Sequence, residues 1–435
     1  MIQEFSVGNY LSIKDTQTLS FIPRKSDLNH DLFTVEISSG VRLLKSAVIY
    51  GSNASGKTNI LKALEFLRLI VLRTRKRGEN TGFVPFLFNQ ATKKSPGEFE
   101  IIFFKGNNKF RYYLKISESE VIEEELNYYP GQTPATIFYR KTVSEQDIII
   151  EYSSTYGVNK AEREMIRARV LPNVSVLSSL GDVSTKNEIL LKAYNWFLED
   201  LKPIITPDTK LRDYTAFKIL KQDKMEKLLT YLMIKADFNI EHIRAEKELI
   251  KIESDDITKL KEKFPEFIVK EIEEKGGVTR RNLSFFHKIN DKGETSIYQL
   301  DEELESRGTW RYFGLAGPIL ESLKGHKTLF IDELDSSLHP DLLNFIYSMF
   351  LVNSKGAQII FTIHNRELLE DKELQRRDLI WFTEKQRDGS TELYSIADIS
   401  GIRKDQSFEK LYKTGKFGAI PNLGNLYLEI DYDED

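Results

Sequence analysis

Residues 46–61, SAVIYGSNASGKTNIL, constrain this chain more than any other stretch. Apolar and aromatic residues, Ala47 to Tyr50, run into a loop of small residues, and the helical pattern NILKALEFLRLIVL follows with one apolar row at Ile60, Leu64, Leu67 and Val71. Gly51, Gly56, Lys57 and Thr58 satisfy G-x-x-x-x-G-K-[ST] inside that strand-loop-helix frame. Glycines let such a loop curl until backbone N–H groups face phosphate oxygens, and the helix N-terminus adds a favourable dipole. Lys57 then reaches the β and γ phosphates of a nucleotide, and the Thr58 hydroxyl ligates Mg²⁺.

A phosphate loop does not choose among kinases, GTPases, helicases and ABC-type ATPases. The run TLFIDELDSSLHP does, because an apolar strand stops at Asp332-Glu333. Asp332, at the strand's end, is set to hold the Mg²⁺ shell, and Glu333 to orient or deprotonate the attacking water. A second apolar run, AQIIFTIHN, ends in His364, placed to sense the γ phosphate and the water. Being nearly continuous, both runs read as central strands of a parallel sheet. In ESRGTWR, Ser306, Gly308 and Thr309 precede a helix and form either an ordinary N-cap or a second anion-binding element. One chain needs only one phosphate cradle per nucleotide; two chains facing each other use both.

Around these motifs, short strand-like runs open the chain, and a mostly antiparallel sheet is expected over 98–152. Residues 159–275 read as helical by their three and four residue spacing, cut by Pro172, Pro203, Pro207 and Pro265 into a lid or stubby arm. Strands return in LSFFHKI and TSIYQLD. Three regions result: 1–155 with the phosphate loop and β subdomain, 156–282 as a helical insertion, and 283–435 with the remaining motifs. Lysine plus arginine number 62 against 66 acidic residues, a net charge of -4, so no global positive field marks a nucleic-acid binder. The basic run at Arg73–Gly78 reads as a nucleic-acid contact or as a solvated helix terminus. With no cysteine, no secretory leader pattern and no apolar run of membrane-spanning length, a cytoplasmic protein with no membrane association is expected. The terminal DYDED reads as a solvated tail.

The set GSNASGKTNIL, ESRGTWR, LFIDELDSSLHP, IIFTIHN and LYKTGKFGAIPNL, with FSVGNYLSIKD near the start, resembles the ABC-type ATPase superfamily. More narrowly it is similar to the SMC-like AAA-family ATPases of bacterial anti-phage and abortive-infection defence, such as the ATPase subunits of Septu, PARIS and RloB-partnered systems. That resemblance implies an α/β fold: an ABC-type, SMC-like P-loop ATPase head with an antiparallel β subdomain and a helical insertion. It implies that Gly51, Ser52, Asn53, Ala54, Ser55, Gly56, Lys57, Thr58 and Asn59 hold the triphosphate, with Thr58 and Asp332 serving Mg²⁺. Glu333 becomes the catalytic base, Asp335 the D-loop residue and His364 the switch, with Lys57 also catalytic. Ser306, Gly308 and Thr309 match the signature that completes a partner subunit's site. The signature is Ser-Arg-Gly-Thr rather than the transporter-like Ser-Gly-Gly, which argues against a transporter and leaves Arg307 as an extra contact. Gln90 is the candidate for a Q-loop glutamine.

The expected activity is hydrolysis of ATP by two heads that sandwich two nucleotides. By resemblance that homodimer, or a larger homo-oligomer, regulates a separately encoded nuclease or toxin effector in response to a trigger such as a phage protein. Alternatives are a DNA repair or recombination ATPase of SMC-like or RecF type, and an ATP-gated scaffold with little hydrolysis. No nuclease constellation follows His364, so an effector activity is expected on another chain.

Overall fold

Ser46–Gly51 is buried at every residue, which a strand achieves only within a sheet covered on both faces. In a computed structural model, described for residues 1–25, 30–144, 146–251, 277–371, 373–374, 376–403 and 406–420, it is the middle of five strands. Their order is Thr328–Ile331, Gln358–Thr362, Ser46–Gly51, Ile380–Lys385, Thr391–Ser395. The first four run parallel, and the last returns antiparallel. As expected, the strands ending at Asp332 and before His364 are buried throughout. Thr328–Ile331 stands at the edge of the named strands, yet Leu201 and Ile205 bridge to it in parallel and cover that edge.

The helix Lys57–Leu72 follows the central strand and buries the predicted row Ile60, Leu64, Leu67 and Val71. Leu61, Ala63, Phe66 and Ile70 are buried as well, so the helix is enclosed well beyond one stripe. It also holds the segment that covers the sheet edge: Arg68 Nε donates to the Leu201 carbonyl at 2.9 Å. The antiparallel sheet expected over 98–152 is present and larger, with seven strands. Its order is Asp147–Tyr152, Ala135–Ser144, Val121–Tyr129, Asn108–Ile116, Gly97–Lys105, Ile2–Gly8, Gln17–Ser20. The opening strands join because Phe5 and Val7 bury the face they share with Phe99, Ile101 and Phe103.

The chain divides into two compact units, 1–206 with 325–334 and 351–435, and 207–324 with 335–350. These boundaries differ from the expected 1–155, 156–282 and 283–435. Helices Lys160–Arg167 and Glu188–Asn195 belong to the first unit, whereas the returning strands belong to the second. In the second unit, Leu211–Lys221 and Asp223–Lys235 are helices, but Ile240–Lys251 is a strand, correcting the helical expectation for 159–275. It pairs with Gly277–Asp291, which pairs with Glu294–Asp301. The cause is a register shift between Ile240 and His242, which buries Ile240 and Ile243 and so mimics the three-residue spacing of a helix. Asp237 and Asn239, both left-handed at φ 58 and 55, end the preceding helix. The stretch ITKLKEKFPEFIVKEI and the DYDED tail lie outside the described residues. Helix Arg307–Gly325 packs closely on Leu211–Lys221: a Cβ at Gly317 would lie 3.0 Å from Thr215 Cβ, and Thr215 Oγ1 donates to the Gly314 carbonyl at 2.9 Å. Among the described residues no helix is long and apolar enough to cross a membrane.

Gln358 fastens the seven-stranded sheet of the first unit to the five-stranded one. Its fully buried amide donates to the carbonyls of Ile2 at 2.9 Å and Leu44 at 3.0 Å, and accepts the Ile2 N–H at 2.5 Å. Gln358→Leu keeps the volume and strands these backbone groups. The expected cost is about 2–5 kcal/mol, seen as a lower midpoint in urea denaturation.

Candidate functional site

The central strand ends at Gly51, and a Cβ there would lie 2.6 Å from the Thr383 carbonyl oxygen and press on the Ser55 and Thr383 hydroxyls. Gly56 is left-handed at φ 105, and a Cβ on it would run into Thr391. Only glycine fits both positions, so the loop is wedged against the two following strands. Hydroxyls complete the attachment. Ser55 Oγ meets Thr383 Oγ1 at 2.6 Å, Thr391 Oγ1 donates to the Ser55 carbonyl at 2.9 Å, and Ser12 Oγ meets Thr391 Oγ1 at 2.7 Å. Asn59 Nδ2 donates to Ser12 Oγ at 2.6 Å. The turn that carries Thr391 is tied down by Lys14, which donates to Asp388 at 2.8 Å and, with Ser390, holds that carboxyl well below the usual carboxylate range.

Lys57 Nζ donates to the carbonyls of Gly51 at 2.8 Å and Ser52 at 3.1 Å, so its ammonium lies inside the curl of the loop. Thr58 Oγ1 donates to Asp332 Oδ2 at 2.9 Å. Asp332 is 5% exposed, and its other oxygen accepts the Thr362 hydroxyl at 2.7 Å. Glu333 follows in a left-handed conformation, φ 49, with its carboxylate 3.7 Å from His364 Nε2. Asn53, Ala54, Ser55, Gly56, Lys57, Thr58, Asn59, Glu333 and His364 line one cleft of ≈ 480 Å³, within the ~300–1,000 Å³ range of small-molecule sites. The predicted loop, both acids and the histidine therefore converge at the carboxyl ends of parallel strands, as ligand sites of open α/β sheets do.

The donor set suits a magnesium nucleotide. The Lys57 ammonium lies within the loop, and a hydroxyl and a carboxylate, both hard oxygen donors, meet beside it. Among the described residues no cluster of three or more acidic, histidine or cysteine side chains forms a self-sufficient metal cage.

Ser306, Gly308, Thr309 and Asp335 belong to the second unit. Ser306 caps its helix: its Oγ accepts the Thr309 N–H at 3.0 Å and meets Thr309 Oγ1 at 2.9 Å. A Cβ at Gly308 would lie 3.3 Å from the Ser337 carbonyl, and Ser306 and Arg307 are exposed. Asp335 sits in a turn, its carbonyl accepting the Leu338 N–H at 3.2 Å. Gln90 opens a one-turn helix, Gln90–Lys93, is exposed, and is not among the residues lining the cleft. In the basic run, Arg75 donates to the Thr81 carbonyl at 3.0 Å, and burial pushes its guanidinium down; Lys76 offers its carbonyl to Asn173 at 2.7 Å. Residues that sequence reasoning missed are Ser12, Thr362, Thr383 and Thr391. Only Thr362 carried a signal, since it stands within IIFTIHN.

Residues 46–370 match the family described as "AAA domain, putative AbiEii toxin, Type IV TA system". No curated protein matches. Among solved structures, similar ones include the SMC head domain from Thermotoga maritima, 14% identical over 91% of this chain and 98% of that one, TM-score 0.39. Another is the Smc head with an extended coiled coil bound to the C-terminal domain of ScpA, derived from Pyrococcus furiosus: 11% identical, covering 96% of this chain and 98% of that one, TM-score 0.38.

If the glycine wedge shapes the cleft, Gly56→Ala should lower affinity for a fluorescent ATP analogue by about tenfold or more, because a strained φ costs ~1–3 kcal/mol. Circular dichroism should stay unchanged.

Proposed function

The chain belongs to the AAA-domain family just described, and on that premise we propose that it hydrolyses ATP with Mg²⁺ between two copies of itself. The observation that carries the reading is the meeting of two pairs at one cleft, Thr58 with Asp332 and Glu333 with His364. Thr58 and Asp332 would hold the cation, which when bound neutralises phosphate charge. Lys57 would move from its loop carbonyls to the β and γ phosphates, its charge offsetting the negative charge on the oxygens. Glu333 orients a water and accepts its proton as the water oxygen attacks phosphorus, while the bond to the bridging oxygen of ADP breaks. His364 contacts the γ phosphate and that water.

The side chains of Glu333 and His364 are 42% and 39% exposed, which supports completion of the site by a second surface. In this reading that surface carries the helix cap of another copy, the exposed Ser306 with Gly308 and Thr309, together with Asp335 of that copy. The association and release of two heads then controls a separately encoded nuclease or toxin effector in anti-phage defence, in the cytoplasm, under a trigger such as a phage protein. The family's description, a toxin of a type IV toxin–antitoxin system, supports a defensive or growth-arresting role.

Purified protein should release phosphate from ATP. Glu333→Gln should slow turnover by about 10²–10⁴-fold while ATP binding persists, the range of a lost general base; equal turnover in the variant would remove that role. Ser306→Arg should abolish turnover, leave ATP binding intact, and prevent the ATP-dependent shift to dimer in size-exclusion chromatography. Loss of binding instead would contradict a site completed by a second copy.

A further inference from the structure

Thr362 is the last residue of the strand Gln358–Thr362 and is fully buried. Its hydroxyl has one proton and two lone pairs, and the site uses both kinds. The proton goes to Asp332 Oδ1 at 2.7 Å, and the oxygen accepts the Glu333 N–H at 2.8 Å. The Thr362 carbonyl accepts the Leu334 N–H at 3.0 Å. Three consecutive residues at the acidic strand's end are thus registered on one threonine. Asp332 is gripped from the other side by Thr58, at 2.9 Å to Oδ2.

The middle residue, Glu333, is where the backbone turns left-handed, a conformation that residues with a Cβ avoid. Such a conformation persists only where its surroundings over-determine it. The bond from its N–H to Thr362 is one such restraint, and it acts at the residue whose carboxylate lines the cleft. His364 lies two residues beyond Thr362, so one strand end aims the histidine and fixes both acids.

We infer that Thr362 is a positioning residue: its hydroxyl sets the direction of the Asp332 carboxylate and holds the backbone from which Glu333 reaches the cleft. The inference rests on the proposed hydrolytic site. A merely structural threonine would fill space and satisfy a donor, and valine, which has the same shape, separates the two.

The test compares Thr362→Val, Thr362→Ser and Thr362→Ala in the full chain, measuring kcat, KM for ATP and the Mg²⁺ concentration giving half-maximal turnover. Valine should lower kcat and raise the Mg²⁺ requirement by about 10–100-fold, with KM at saturating Mg²⁺ shifted far less, as loss of an outer-shell partner does. Serine should restore most of both. Wild-type kcat and Mg²⁺ dependence in the valine variant would overturn the inference. So would a serine variant as impaired as the valine one, since the methyl group would then be what matters. Should valine prevent folding, alanine against serine carries the same comparison, and equal behaviour of those two overturns it. Wild-type protein that binds ATP with Mg²⁺ but does not turn it over would sink the hydrolytic reading alone. The Mg²⁺ dependence of ATP binding in the same variants would then decide the role of Thr362.

Discussion

A parallel strand buried on both faces cannot carry polar side chains along its length without leaving them unpaired, so polar groups collect where it ends. Ser46–Gly51, Thr328–Ile331 and Gln358–Thr362 lie side by side, point the same way and are buried throughout. Their ends therefore deliver a phosphate loop, an Asp-Glu pair and a histidine to one cleft. The remaining architecture protects this arrangement. The helix Lys57–Leu72 covers the central strand, residues 201–205 seal the acidic strand's edge, and the Gln358 amide joins the antiparallel sheet to the parallel one.

That logic explains why so much of the site is legible in the sequence. Continuous apolar runs stopping at Asp332 and just before His364 are direct traces of buried strands with functional ends, and Gly56 is a trace of a loop with no room for a Cβ. The residues that hold the loop and the acids leave little trace. Thr383 and Thr391 sit in WFTEKQRDGSTELYS as ordinary strand residues, Ser12 lies in the opening turn, and each matters only because folding brings it against a residue far along the chain. Nothing local distinguishes a threonine that anchors a phosphate loop from one that fills a sheet.

The helical expectation for 159–275 fails at Ile240–Lys251 for a comparable reason. Periodicity assigns a helix or a strand by spacing, and a bulge changes spacing by one residue. The shift at Ile240/His242 converts a two-residue repeat into a three-residue one, so buried Ile240 and Ile243 imitate a helix face. The signal that survives is chemical: Asp-Phe-Asn at 237–239 supplies two residues tolerant of left-handed φ and breaks the preceding helix. Strand pairing to Gly277–Asp291 across the intervening chain is a long-range fact that a short window cannot contain.

Within the cleft, buried and exposed groups are divided. Asp332 is buried and held by hydroxyls on both sides, so the direction of its carboxylate is set by the fold. Glu333 and His364 differ: they are half-exposed and 3.7 Å apart, beyond the ~2.7–3.2 Å of a hydrogen bond. A catalytic acid–base pair often tightens only when substrate and closing surface are present. If the proposed reaction holds, a fixed Asp332 beside a more exposed Glu333 and His364 would let nucleotide load on one head before a second surface completes the site. The backbone left-handed at Glu333, tethered through its N–H to Thr362, holds the residue whose side chain lines the cleft.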